Sequence, residues 1–238
     1  MPVFSLDDKL IFPHPVLRDP DGLLAWGGDL SIDRLLLAYR WGIFPWYHEG
    51  QPLLWWFLAP RLMLKPEEIH ISHSLRSILK KEIFQVTFNT AFAEVMKNCG
   101  EIKRLNQDGT WITKDILKSY FELHKAGYAH SVEVWQENEL VGGLYGVGYG
   151  RIFTGESMFA KKSNASKIAF VYLARHLSAK QFEWIDCQQD TPHLRSMGAD
   201  LIQEDQFMEI LRDNHLFILK TRNSKTDFPS PQPQPNLY

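Results

Sequence analysis

Two cysteines in 238 residues, Cys99 and Cys187, are too few for a disulfide framework, and neither lies in a CxxC pair that would suggest zinc. No His, Cys and carboxylate cluster has metal-ligand spacing. No stretch approaches the ~18 apolar residues of a membrane-spanning helix. The first residues, MPVFSLDDKLIFP, lack a basic segment followed by an apolar one, so no secretory signal is read there. Excess charge is missing too: 26 Lys and Arg against 28 Asp and Glu leave a net charge of −2. That is not the cationic field a general nucleic-acid coat needs, although a local basic patch would suffice to grip an RNA end. These absences predict a cytoplasmic, reduced protein without a metal or a membrane partner. Hydrophobic residues at 45% and charged residues at 23% are ordinary globular values, and the length suits one large domain or two unequal ones.

Aromatics are plentiful in one place. Residues 39–61 read YRWGIFPWYHEGQPLLWWFLAPR, with six aromatics from Phe44 to Phe57 broken by Pro45, Gly50 and Pro52. Gly and Pro at this density forbid one regular element. So many rings would be wasted in a solvated loop, and the segment is expected to fold back as a wall of rings. Such a wall is either plain core or a platform on which a base or an apolar side chain stacks.

Helical spacing predicts a helix over 31–42, with Ser31 as N-cap and Gly42 as stop, and others over 74–81, 90–99, 114–126 and 164–179. A last helix is expected over 205–212. HSVEVWQ, ELVGGLYGV and RIFTGESMF, separated by ENE and GYG, read as a three-strand meander, and 182–188 as a further strand. The expected class is α+β, with a mostly antiparallel sheet flanked by helices. We expect a small N-terminal domain over 1–61, a larger one over 62–222 and a mobile Pro-rich tail over 223–238.

Strand alternation in WIDCQ puts Trp184, Asp186 and Gln188 on one face and Ile185 and Cys187 on the other. A carboxylate and an amide on one face of an apolar strand are costly to bury unless hydrogen-bonded. They can hold each other, a backbone donor or a reacting group. Cys187 is a tempting nucleophile, but alternation turns it away from Asp186 and Gln188, and it reads as an inert buried thiol.

GLLAWGGDL, RLLLAYRWGIFPW, the WW-x3-PR that follows, GTWIT, AHSVEVW, ELVGGLYGV, GESMF, NASK and IDCQ stand in this order over roughly residues 10 to 212. Together they resemble the bacterial leucyl/phenylalanyl-tRNA–protein transferase family. The resemblance implies a GNAT-like acyltransferase fold for the larger domain. It also implies transfer of leucine or phenylalanine, with methionine a further candidate, from aminoacyl-tRNA to proteins beginning with Arg or Lys, which marks them for N-terminal-rule degradation. The expected partners are the 3′ end of Leu-tRNA or Phe-tRNA and such acceptor proteins, with the enzyme a monomer; the aminoacyl ester is already activated, so no cofactor is expected. By the same resemblance Asp186 and Gln188 become the catalytic centre, and Glu156 in GESMF attracts the cationic acceptor. Tyr39 and Trp46 surround the aminoacyl-adenosine, Trp111 is a further substrate-binding candidate, and Leu144, Phe153 and Phe170, each read as core before pocket, are candidates to line a pocket for the leucyl or phenylalanyl side chain. Arg76, Lys80 and Lys81 offer a phosphate grip or a merely solvated face. One departure stands out: the family's WW-Ser-Pro-x-Pro-Arg is here WWFLAPR, so Phe57 is expected to add bulk near the pocket.

Two other readings compete. An acyl-CoA-dependent N-acetyltransferase cradles pyrophosphate on a glycine-rich turn before a helix, and MFAKKSNAS, where the helix at 164 is expected to begin, has no glycine. A non-catalytic RNA- or peptide-binding module would tolerate loss of Asp186 or Gln188.

Overall fold

The computed structural model describes residues 3–102, 110–225 and 228–229. The chain runs through β1 (Phe4–Leu6), β2 (Leu23–Gly27), α1 (Ile32–Arg40), β3 (Phe44–Pro45), β4 (Leu54–Trp56) and β5 (Arg61–Leu64). It continues through α2 (His73–Lys80), β6 (Gln85–Phe88), α3 (Phe92–Glu101), α4 (Lys114–Lys125), β7 (Ala129–Gln136), β8 (Glu139–Tyr149) and β9 (Ile152–Ala160). It ends with α5 (Ala165–Ala179), β10 (Trp184–Gln188), α6 (Pro192–Arg195), β11 (Asp200–Ile202) and α7 (Glu204–Thr221). The class is α+β.

Local chemistry explains the boundaries. Ser31, Ser72 and Thr113 are N-caps in extended backbone, and each side-chain oxygen accepts the amide three residues on. Glu137 and Asn138 both adopt positive φ between β7 and β8, which turns the hairpin. The last helix runs nine residues past the expected end. Its extension turns Leu216 and Leu219 outward and Asn214 inward, the reverse of an amphipathic signal. Asn214 is satisfied there: its Oδ1 accepts from the Arg151 amide at 2.7 Å and its Nδ2 donates to the Tyr149 carbonyl at 2.9 Å. Strand β5 escaped the periodic reading because all four of its residues are buried, so nothing alternates.

A four-stranded sheet, β1-β2-β4-β3, is drawn from residues 4–56, and a seven-stranded sheet has the order β11-β5-β10-β9-β8-β7-β6. All neighbours in the larger sheet are antiparallel except β9 and β10. Leu144 and Tyr145 show how its two faces divide: Tyr145 joins a core with α3, α4 and the smaller sheet, Leu144 a core with α5. The first core is continuous from Leu24 and Trp55 to Met63 and Tyr145. Helix α5 lies close on β8 because Gly142 has no side chain; a Cβ there would sit 2.4 Å from that of Ala165.

Of the segment expected as a tail, 223–225 and 228–229 are described and the other residues lie outside the described ones. Phe228 is buried, stacked on His130 with ring centroids 4.1 Å apart.

Candidate active site

Strands β9 and β10 pair in parallel from Ile152↔Trp184 to Thr154↔Asp186. Beyond that pair lie Glu156 on one strand and Gln188 on the other, at the lining of a cavity of about 820 Å³. Its walls are sorted by chemistry. Phe44, Trp46 and Trp111 supply rings; Leu144, Met158, Phe170, Leu173 and Ile185 form an apolar side; Glu156, Gln188, Gln189 and His193 are polar. An apolar pocket with a few convergent polar groups is the usual form of a small-ligand site.

Asp186 is 2% exposed and does not line this cavity. Its two oxygens are gripped by Arg61, Nε to Oδ1 and Nη2 to Oδ2, both at 2.7 Å. Oδ1 also accepts the Gln188 amide at 2.9 Å. Alternation therefore holds from Trp184 to Cys187 and breaks at Gln188. The register against β5 shifts between Asp186 and Gln188, and Gln188 takes a left-handed backbone at φ 61°. That conformation costs a non-glycine residue on the order of 1–3 kcal/mol and persists where neighbours enforce it. The bulge brings Gln188 to the cavity beside Cys187 instead of leaving it on the face of Asp186.

Glu156 is the convergence point. Tyr39 Oη donates to its Oε1 at 2.8 Å, Tyr120 Oη lies 3.3 Å from its Oε2, and Gln188 Nε2 donates to Oε1 at 3.3 Å. The two phenol oxygens are 2.5 Å apart. Part of the carboxyl meets the cavity, but it sits deep in the protein, and that desolvation pushes its pKa up to about 7 against the pull of the two tyrosines. Burial, and the charge of Glu156 after it, push both phenols well above their ordinary value, so they stay neutral donors.

Cys187 lines the cavity, contrary to the expectation that it turns away from Gln188. Burial pushes its thiol pKa up, which disfavours the thiolate a covalent mechanism needs. His193 faces the same cavity, with its pKa lowered by burial and then by Lys167.

Six residues singled out from the sequence thus meet in one cavity: Trp46, Trp111, Leu144, Glu156, Phe170 and Gln188. Tyr39 is not at the wall but reaches Glu156 from behind. Phe153 is fully buried outside the lining, 5.6 Å from Phe228. Phe57 does not narrow the cavity, since it is fully buried 5.8 Å from Phe207. Arg76, Lys80 and Lys81 are exposed on and just after α2, outside the lining. Two participants were missed. Tyr120 carries no sequence signal that sets it apart from its buried neighbour Phe121. Arg61 carried one, a charge opening the apolar run RLML.

Comparison with known proteins matches these elements. The family model for leucyl/phenylalanyl-tRNA protein transferase matches residues 63–212, and that for its N-terminal domain matches 28–57. A leucyl/phenylalanyl-tRNA–protein transferase of Syntrophobacter fumaroxidans is 56% identical over 90% of this chain and 92% of its own. One from Flavobacterium johnsoniae is 51% identical over 88% and 99%. Among solved structures, L-PGS from Bacillus licheniformis aligns over 81% of this chain and 70% of its own at 12% identity with a TM-score of 0.37, too slight to carry a fold argument. With one family model matching more than half of the chain and relatives more than half identical over about nine-tenths of it, the chain belongs to the leucyl/phenylalanyl-tRNA–protein transferase family.

Proposed function

We propose that this protein transfers leucine or phenylalanine from the 3′ end of an aminoacyl-tRNA to the α-amino group of proteins beginning with Arg or Lys. The observation that carries this reading is a single cavity holding stacking rings, an apolar side and a carboxylate. The leucyl or phenylalanyl side chain fits against Leu144, Phe170 and Leu173, and the terminal adenine against Trp46 and Trp111, since a single-stranded end exposes its π-face. The cationic N-terminus meets Glu156.

An aminoacyl ester is already activated, so the site has to position an amine, accept a proton and stabilise an oxyanion. The α-amine arrives as ammonium, with an ordinary pKa of roughly 7.7–8. Glu156, near 7, is matched closely enough to take that proton. The free amine attacks the ester carbonyl, the new C–N bond forms, and the bond to the ribose oxygen breaks. The attacking nitrogen's second proton ends on that oxygen, leaving a peptide bond and a free 3′ end. Gln188 contacts the amine or the carbonyl; Asp186 acts behind it.

The parallel β9–β10 pair opening into the cavity supports a GNAT-like arrangement for the larger sheet. An acyl-CoA reading is disfavoured at the start of α5. There the Lys161 and Lys162 amides both donate to the Val141 carbonyl, so neither is free for pyrophosphate. The test is to mix the protein with labelled Leu-tRNA and peptides differing only at the first residue. Label should enter peptides beginning with Arg or Lys and not their N-acetylated forms. A requirement for added acetyl-CoA, or no transfer, would refute the reading.

A further inference from the structure

Arg61 is buried more deeply than any role in substrate contact would need. It is 1% exposed, and its guanidinium carbon lies 5.1 Å from the Phe44 ring centroid and 5.0 Å from that of Phe207. Nε and Nη2 fork onto Asp186, whereas Nη1 is buried with no hydrogen-bond partner among the described residues. Stability alone does not explain such a pair, because well-packed apolar residues serve a buried position as well or better. What the pair does is fix a geometry. Asp186 Oδ1, held by Arg61, accepts the amide of Gln188, the one residue of β10 with a left-handed backbone. That bulge delivers the Gln188 side chain to Glu156.

We infer that Arg61 is a positioning residue for aminoacyl transfer, acting through Asp186 to hold the bulge that aims Gln188 into the cavity. The inference rests on the reaction proposed above. A two-point fork is what the task requires: one contact would let the carboxylate turn about its own axis, and the Gln188 amide would lose its acceptor. Lysine supplies the charge without the fork.

The test separates aim from stability. Arg61→Lys should fold and bind both substrates with KM changed less than about threefold, while kcat falls about ten- to a hundredfold. In a Gln188→Ala background the same replacement should change kcat by less than about threefold, since its route to the chemistry is already cut. The paired variant Arg61→Met with Asp186→Leu removes both charges; its Tm should match or exceed the wild type while kcat stays as low as in Arg61→Lys. A folded Arg61→Lys with wild-type kcat would overturn the inference. So would an equal loss in both backgrounds, full activity in the paired variant, or failure of both Arg61 variants to fold, which would make the pair a structural support only. A wild type that transfers nothing would refute the reaction itself, and is read before any variant is made.

Discussion

Replacing Glu156 by Gln removes a carboxyl whose pKa is pushed to about 7 from an ordinary 4.5. The folded state therefore binds this proton more tightly than the unfolded state. Below about pH 4.5 both states are protonated and the group costs nothing. Between 4.5 and 7 the unfolded chain ionises first, so its contribution to stability falls as pH rises, and above 7 the full cost is present. A gap of 7 − 4.5 = 2.5 units corresponds to about 3 kcal/mol at ~1.36 kcal/mol per unit, trimmed toward 2 by water in the cavity. Glutamine has no such cost at any pH. Urea unfolding of both proteins at matched ionic strength should show the advantage of Glu156→Gln growing by about 2–3 kcal/mol between about pH 5 and pH 8. Over the same range kcat/KM of the wild type should rise through an acid limb near 7, whereas the variant, at least about tenfold slower at the upper end, should keep only the later limb of the acceptor's own amine, at roughly 8. A stability difference that is flat with pH, or a limb near 7 that stays unmoved in the variant, would refute this account of Glu156.

Four further outcomes concern the cavity and the residues around it. Trp46→Ala should weaken use of aminoacyl-tRNA by about 1–3 kcal/mol, the value of one stacked base, with the fold intact by circular dichroism. Neutralising Arg76, Lys80 or Lys81 should lower tRNA affinity irrespective of sequence and flatten its salt dependence by roughly one unit; unchanged slopes in all three would leave α2 a solvated face. Asp186→Asn and Gln188→Ala should each slow transfer about ten- to a thousandfold, with the double variant losing much less than the product. Cys187→Ala between them should stay within about threefold of wild type, because the aliphatic wall tolerates a small side chain and no thiolate is used.

What was legible in the sequence was what repeats or caps. Ser31 announces a helix start by chemistry that acts over three residues, and the meander shows itself by alternation and by its turn residues. Asp186 was legible as a costly polar group on an apolar strand, and its burial against Arg61 bears out that cost argument. The rest depended on partners far away in the chain. Arg61 and Asp186 are 125 residues apart, and Tyr39 and Glu156 are 117 apart, separations no local pattern encodes. The bulge at Gln188 was hidden for a related reason: alternation assumes an unbroken register, and the register shift there belongs to the pairing with β5. Phe57 misled because it belongs to the same aromatic segment as Phe44 and Trp46, which line the cavity, while it turns to Phe207.

The central claim is that one cavity holds the aminoacyl group against its apolar side while Glu156 and Gln188 receive the amine. A crystal structure with an unreactive amide analogue of 3′-leucyl-adenosine tests it most directly. The account predicts the leucyl side chain among Leu144, Phe170 and Leu173, the adenine against Trp46 and Trp111, and the carbonyl carbon within reach of Gln188. An analogue bound outside this cavity, or one bound inside it with its leucyl group turned out to solvent, would contradict the claim.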